Sequence, residues 1–350
     1  MDEAPQETVA GEVAAGERPD PSLPGGFATF FLILGLIALV RIGLGFVSLP
    51  EAALLGVNLV LAVVFVTAVI LAEFLGANSR WNAKSAGAFL VGGVIAQVVF
   101  SYLAAHSSGI VSGLSNAAGQ IGLSTWCVGL GALLGINLRD KNLLIPVSIF
   151  GAAYDFYLVI APAGAAPGAG LTKHIVQTAP KIFTSVAAQV PAVASHAATG
   201  TGQVGSYVGP ADLVFLAAFF IIVFRFKMNA RLTLGIIAPT LVLYMLAVMA
   251  FGIPLPALVP IGACIVAANW RHFNLKRDEW LATGMVAVLC AAFLTWGLWR
   301  HSKTPEPPTE PSPTVSAPAT SGSGATIGTV NSNPPKSPSQ SAPKSKPSLR

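Results

Sequence analysis

Apolar residues run in long blocks along most of this chain, and polar residues gather at the joints between them. A helix needs about 20 apolar residues to cross roughly 30 Å of hydrocarbon. Nine blocks meet or approach that length: 27–48, 53–75, 86–105, 111–136, 143–162, 204–224, 231–251, 253–269 and 281–299. Ser115, Asn116, Gly119 and Gln120 interrupt the fourth near its start, and the eighth is short and rich in proline. Trp81, Trp270, Trp280 and Trp299 stand at block ends, where interfacial aromatics belong. The pattern predicts an all-α, polytopic transmembrane helix bundle of about nine spans.

The flanks and joints divide the chain further. Residues 1–26 hold six acids and one Arg, and 301–350 are rich in Pro and Ser; both compositions predict disorder. Between them the expected parts are a four-span bundle over 27–136, a second group over 143–269 and a final span at 281–299. The one long joint, 163–203, has Ile175, Ala179, Ile182, Phe183, Val186 and Val190 at helical spacing. With Pro180 at its start, this predicts an amphipathic helix, lying in the membrane interface or acting as a lid over a site below.

Composition supports the same class. The chain is 53% hydrophobic and 10% charged, whereas a soluble domain carries about 25% charged residues. The formal net charge of +5 therefore reads as loop topology and not as a nucleic-acid footprint. With the N-terminus inside, the inner joints carry Arg80, Lys84, Arg139, Lys141, Arg225, Lys227, Arg231, Arg271, Lys276 and Arg277, while the short outer joints carry no Lys or Arg. The rule that basic residues stay inside then predicts a cytoplasmic N-terminus and an extracytoplasmic C-terminus. The location expected is a prokaryotic plasma membrane. The acidic start lacks the basic n-region of a signal peptide. Cys127, Cys264 and Cys290 fall inside apolar blocks without a C-x-x-C pair, so they read as buried thiols, with no disulfide or metal framework.

Charges inside hydrocarbon are costly, and each is a functional candidate. Glu73, at the inner end of the second block, is close enough to the interface to snorkel. Arg41, in the outer half of the first, is expected to pair with an acid or to snorkel outward. Arg225 ends the sixth block and reads as a topology anchor. Asp155 and Asp212 are different. Asp155 lies seven residues before the outer end of block five, and Asp212 about eight residues into block six, depths of about 10 and 12 Å at helical rise. Consecutive spans can bring the two carboxylates face to face. Two carboxylates at contact share a proton, because both cannot ionise side by side. That is the arrangement of aspartic proteases, in which one aspartate takes a proton from water and the other donates to the scissile carbonyl.

The flanking residues read Tyr154-Asp155, Gly209-Pro210-Ala211-Asp212 and, further on, Pro256-Ala257-Leu258. The set resembles the presenilin and signal peptide peptidase family of intramembrane aspartyl proteases, which carries a YD, a GxGD and a PAL in this order on successive spans. From Asp155 to Asp212 is 57 residues, and from there to Pro256 is 44. The residues Leu213-Val214-Phe215 through Arg225-Phe226, and the orientation, look closer to the signal peptide peptidase branch. Two departures stand out: Ala211 occupies the place of the family's second glycine, and the YD lies on the fifth predicted span instead of the sixth. The resemblance covers roughly 143–269. It implies Asp155 and Asp212 as catalytic residues, and Tyr154, Gly209, Ala211, Pro256, Ala257 and Leu258 as the residues that meet substrate. It implies no cofactor and no metal, and transmembrane helices or remnant signal peptides within the lipid bilayer as substrates. Pro254, Pro256 and Pro260 also predict irregular backbone, tolerated at membrane depth where it lines a cavity. Such a segment could pair with an unwound substrate strand.

Two other classes fit the same charges. A proton-coupled transporter or channel would use the Asp155/Asp212 pair as a relay, and would show inverted repeats, which the halves of this sequence do not. A membrane scaffold would work through its tails. Zinc and serine intramembrane proteases are disfavoured by the absence of H-E-x-x-H and G-x-S-G.

Overall fold

The structure is a computed structural model that describes residues 26–160, 188–190, 194–195, 207–251 and 256–302. The predicted disorder of both tails, and the interfacial helix as far as Val186, lie outside the described residues.

The described residues form nine α-helices: α1 Phe27–Leu44, α2 Glu51–Ala77, α3 Ala83–His106, α4 Gly109–Asn137, α5 Leu144–Ile160, α6 Pro210–Arg225, α7 Ala230–Phe251, α8 Leu258–Ala268 and α9 Arg277–Ser302. Six of them, α1 to α4, α7 and α9, are long and apolar enough to cross a membrane, which fits a multi-pass membrane protein. Their outer faces are apolar as well: Leu39 of α1, Val98 of α3 and Val288 of α9 are all exposed, as suits helices solvated by lipid.

Helix α4 is the centre, and small residues let it be so. A Cβ added at Gly122 would lie 2.6 Å from the Gln97 amide nitrogen of α3, and one at Gly129 would lie 2.9 Å from the Ala86 carbonyl. On its other side a Cβ at Gly131 would lie 2.7 Å from the Val214 carbonyl of α6. Backbones this close gain dispersion contacts that longer side chains would forbid, which is what holds helices together where lipid competes equally for apolar surface. Trp126 of α4 adds a hydrogen bond to Gln97 of α3. The α3–α4 joint is tight, and Gly109 turns it at φ +62°, a conformation that costs glycine nothing.

A second set of contacts attaches α2, α5, α8 and α9. Phe74 of α2 packs edge-on to Phe220 of α6, with ring centroids 5.2 Å apart. Gly262 of α8 sits where a Cβ would be 3.2 Å from Ser148 of α5. Tyr157 of α5 meets Phe293 of α9 at 4.4 Å between ring centroids.

Polar ties gather at the helix ends that carry the ten basic residues. One guanidinium nitrogen of Arg225 donates to the carbonyls of Gly135, Ile136 and Leu138, at 2.6–2.8 Å, so this residue caps the end of α4. Asn269, fully buried at the end of α8, accepts from the Asn229 amide and donates to Thr233 Oγ1. Asn142 donates to Glu279 and so joins the starts of α5 and α9. Helix α6 closes with the Met228 amide on the Val223 carbonyl and the Lys227 amide on Phe224, a Schellman end. Lys227 takes the left-handed position at φ 51° that glycine usually fills.

Three expectations need correction. The chain does not continue as helix to residue 48: Ser48–Leu49 pairs in parallel with Ala194–Ser195. The interfacial helix does not reach Val190, because Ala188–Gln189 is extended and pairs antiparallel with Tyr207–Val208. Helix α6 begins at Pro210 and not at 204, since Pro suits the first helical turn and the preceding Gly209 is extended.

Candidate active site

Asp155 and Asp212 lie at the bundle end opposite the polar ties. Asp155 stands five residues before the last residue of α5, and Asp212 in the first turn of α6. The depth of about 12 Å expected for Asp212 from helical rise does not hold, because the chain leading to it is not helical. The two carboxylates are nevertheless within electrostatic reach of each other.

Each carboxylate is held by one backbone amide. The Leu258 amide donates to Asp155 Oδ2 at 2.8 Å. Leu258 is the first residue of α8, so its N–H is one of the four at a helix start that lack a partner within the helix, and it carries the positive end of the dipole. Asp212 accepts from the Gly209 amide. Gly209 is the N-cap of α6 and Asp212 its third residue, which makes this the backward half of a capping box. A Cβ on Gly209 would lie 3.1 Å from Asp212 Oδ2. The absent side chain is what lets the carboxylate fold back this way.

Neighbouring helices fix the two segments. The Cys127 thiol of α4 donates to the Pro210 carbonyl at 3.6 Å, tying the start of α6 to the central helix. Phe215 of α6 points toward α5 at Gly151, where an added Cβ would sit 3.6 Å from its ring. That ring lies between α6 and α5 one turn below the carboxylates.

Of the residues implied by the resemblance, Asp155, Asp212, Gly209 and Leu258 come together. Pro256 and Ala257 immediately precede α8; Pro256 is buried and Ala257 half-buried. Ala211 is exposed. Tyr154 is 48% exposed and stacks on Phe150, so it faces outward from the pair. The irregular segment expected around the prolines is partly seen. Helix α8 starts only at Leu258, with Pro260 in its first turn where proline is tolerated; Pro254 lies outside the described residues.

One residue was missed. The Tyr244 phenol of α7 is within electrostatic reach of both Asp155 and Asp212. Its signal was a lone phenol in the apolar run Leu243-Tyr244-Met245, a weak one, since tyrosine also serves as an interfacial anchor. Glu73 does not snorkel. It is 1% exposed, and neither carboxyl oxygen has a hydrogen-bond partner among the described residues. No group of three or more His, Cys, Asp or Glu that could hold a metal ion occurs among the described residues. The arrangement is two carboxyl groups and a phenol within electrostatic reach of one another at one end of a helical bundle, with a backbone amide at each carboxyl. No protein-family profile, curated protein or solved structure matches this chain.

Proposed function

We propose that this protein is an intramembrane aspartyl protease of the presenilin and signal peptide peptidase kind, cutting peptide bonds within transmembrane segments. Asp155 and Asp212 share one proton. The ionised carboxylate takes a proton from water, whose oxygen attacks the scissile carbonyl carbon. The protonated carboxyl gives its proton to the carbonyl oxygen. The tetrahedral intermediate then collapses: the amide nitrogen leaves with the proton first taken from water, and one hydroxyl of the gem-diol returns its proton to the other aspartate, which forms the acid product and restores the shared proton.

The observation that carries this reading is the Leu258 amide on Asp155 Oδ2 at 2.8 Å, which sets the start of α8 against the aspartate of α5, with Asp212 within electrostatic reach of Asp155. The sequence motifs are therefore neighbours in space across 103 residues of chain. A pair of merely packing aspartates would not need the PAL segment at one of them. The extended residues Tyr207–Val208 just before Asp212 also favour a proteolytic site, because a helical substrate must be unwound before its carbonyls can be attacked.

In this reading α5, α6 and α8 are membrane segments completed by irregular backbone, which gives about nine in all. The ten basic residues at the tied end put that end and the N-terminus in the cytoplasm. The site then opens toward the extracytoplasmic side, and substrates are single-span segments with a cytoplasmic N-terminus, such as remnant signal peptides.

The test is cleavage of a single-span substrate by the reconstituted full chain. Asp155→Asn and Asp212→Asn should each abolish product while leaving the folded protein intact. Mass spectrometry should map the cuts nearer the extracytoplasmic end of the substrate. Cleavage retained in either variant would end the proposal, and cuts at the cytoplasmic end would overturn the orientation.

A further inference from the structure

Two asparagines tie the joint between α4 and α5 to the joint between α8 and α9. The Asn142 side chain donates to the Asn274 carbonyl at 3.2 Å and accepts from the Asn274 amide at 3.3 Å. It also donates to Glu279 at 3.0 Å. Arg139, Lys141, Arg271, Lys276 and Arg277 each stand within three residues of Asn142 or Asn274. Among the acids beside them, Asp140 accepts from the Asn142 amide, Glu279 accepts from the Lys276 amide as well, and Asp278 is exposed. Two of the three carboxylates are therefore engaged inside the joints, while Arg139, Arg271, Lys276 and Arg277 are exposed. The surface so formed is basic.

Helix α9 leads away from it as an apolar stripe. Arg277, Leu281, Met285 and Val288 follow a spacing that puts them on one helix face, and all four are exposed. Trp280, also exposed, stands on the same side between the charge and the aliphatic residues.

We propose that this surface binds an anionic membrane phospholipid, with its phosphate on Arg277 and the neighbouring basic residues and an acyl chain along Leu281, Met285 and Val288. The order of chemistry along α9 is the first argument. Charge, indole and aliphatic side chains succeed one another as headgroup, interface and hydrocarbon do in one leaflet. From Arg277 to Val288 is about 17 Å at helical rise, close to half of the roughly 30 Å hydrocarbon thickness. Preorganisation is the second. The asparagine ties fix the backbone from which the basic side chains project, so less freedom is lost on binding. The guanidinium fork is the third, since its paired donors match phosphate oxygens. A soluble acidic partner would meet the charges and leave the stripe uncovered. The proposal rests on the chain being a membrane protein and not on the protease chemistry.

The experiment uses the purified full chain in a neutral detergent, with thermal unfolding read against added phosphatidylglycerol, phosphatidylcholine or inorganic phosphate. No cleavage enters the readout, so it stands or fails apart from the proteolytic reading. Phosphatidylglycerol should raise the unfolding temperature in a saturable way. Phosphatidylcholine should do so at least several-fold more weakly, and inorganic phosphate should not do so at the same concentrations. Arg271→Gln and Arg277→Gln alter exposed side chains and should fold. Each should raise the phosphatidylglycerol concentration for half the effect about fivefold, the scale of one basic residue near an anionic surface. Lys84→Gln, exposed on the α2–α3 joint, should leave it unchanged. An equal response to phosphatidylcholine or to inorganic phosphate would overturn the proposal. So would an unchanged response in the two arginine variants, or an equal loss in Lys84→Gln.

Discussion

The Leu258 amide donates to the Asp155 carboxylate at 2.8 Å, so the first turn of α8 is built onto the aspartate of α5. Removing that carboxylate leaves an N–H at a helix start with no acceptor. In Asp155→Ala the first-turn amides of α8 should exchange with deuterium faster than in the parent protein. In Asp212→Ala they should exchange at the parent rate. Equal exchange in both would mean that α8 does not depend on Asp155.

Gly209 has φ −64° and ψ 141°, a backbone that any residue adopts. Gly209→Ala should therefore fold. Its methyl group would press on Asp212 Oδ2 at 3.1 Å, turning the carboxylate away from its amide. Proteolysis should fall about tenfold or more, and the lost charge-assisted hydrogen bond should also lower stability by about 1–3 kcal/mol. Full activity in the variant would show that the carboxylate has room to spare.

A methyl group at Gly131 would meet the Val214 carbonyl at 2.7 Å and Ala217 Cβ at 2.8 Å. Since part of the contact is backbone, α6 itself must move. Gly131→Ala should destabilise by about 1–3 kcal/mol and lower cleavage, because the start of α6 carries Asp212. Gly235→Ala on α7 meets nothing within 4 Å and should be neutral or stabilising by about 0.5–1 kcal/mol. Thermal unfolding of the two variants side by side reads the difference.

Glu73 is buried, and among the described residues its two oxygens have no hydrogen-bond partner to offset their desolvation. Glu73→Leu should raise stability by about 1–3 kcal/mol, and Glu73→Gln, which keeps a polar head, should raise it less. A fall in the unfolding midpoint of the Leu variant would show that the carboxyl has a role in the fold.

The proposed chemistry needs one ionised and one protonated carboxyl. Raising pH removes the remaining proton, and lowering it adds a second; each change abolishes one of the two roles. Cleavage should therefore fall on both sides of an optimum. A rate that only rises with pH would point to a single general base.

Much of the helical architecture was legible in the sequence. The lengths of the apolar blocks follow from local properties, namely helical rise and the cost of unpaired backbone in lipid, so the ends of α3, α4 and α7 fall within a few residues of the predicted ones. The two aspartates were legible for the same reason, as charges where hydrocarbon makes charge expensive. What the blocks do not encode is where helix gives way to other backbone. A run of apolar residues reads alike whether it is helical or, as at Tyr207–Val208, paired as a strand. Nor can periodicity show which segments meet. The Leu258 amide on Asp155, the Tyr244 phenol beside both aspartates and the sealing of Glu73 under its neighbours join residues far apart in the chain. Those relations depend on how the helices pack, with Gly262 of α8 close against Ser148 of α5 and the α4 glycines close against α3 and α6, and only the tertiary structure carries that information.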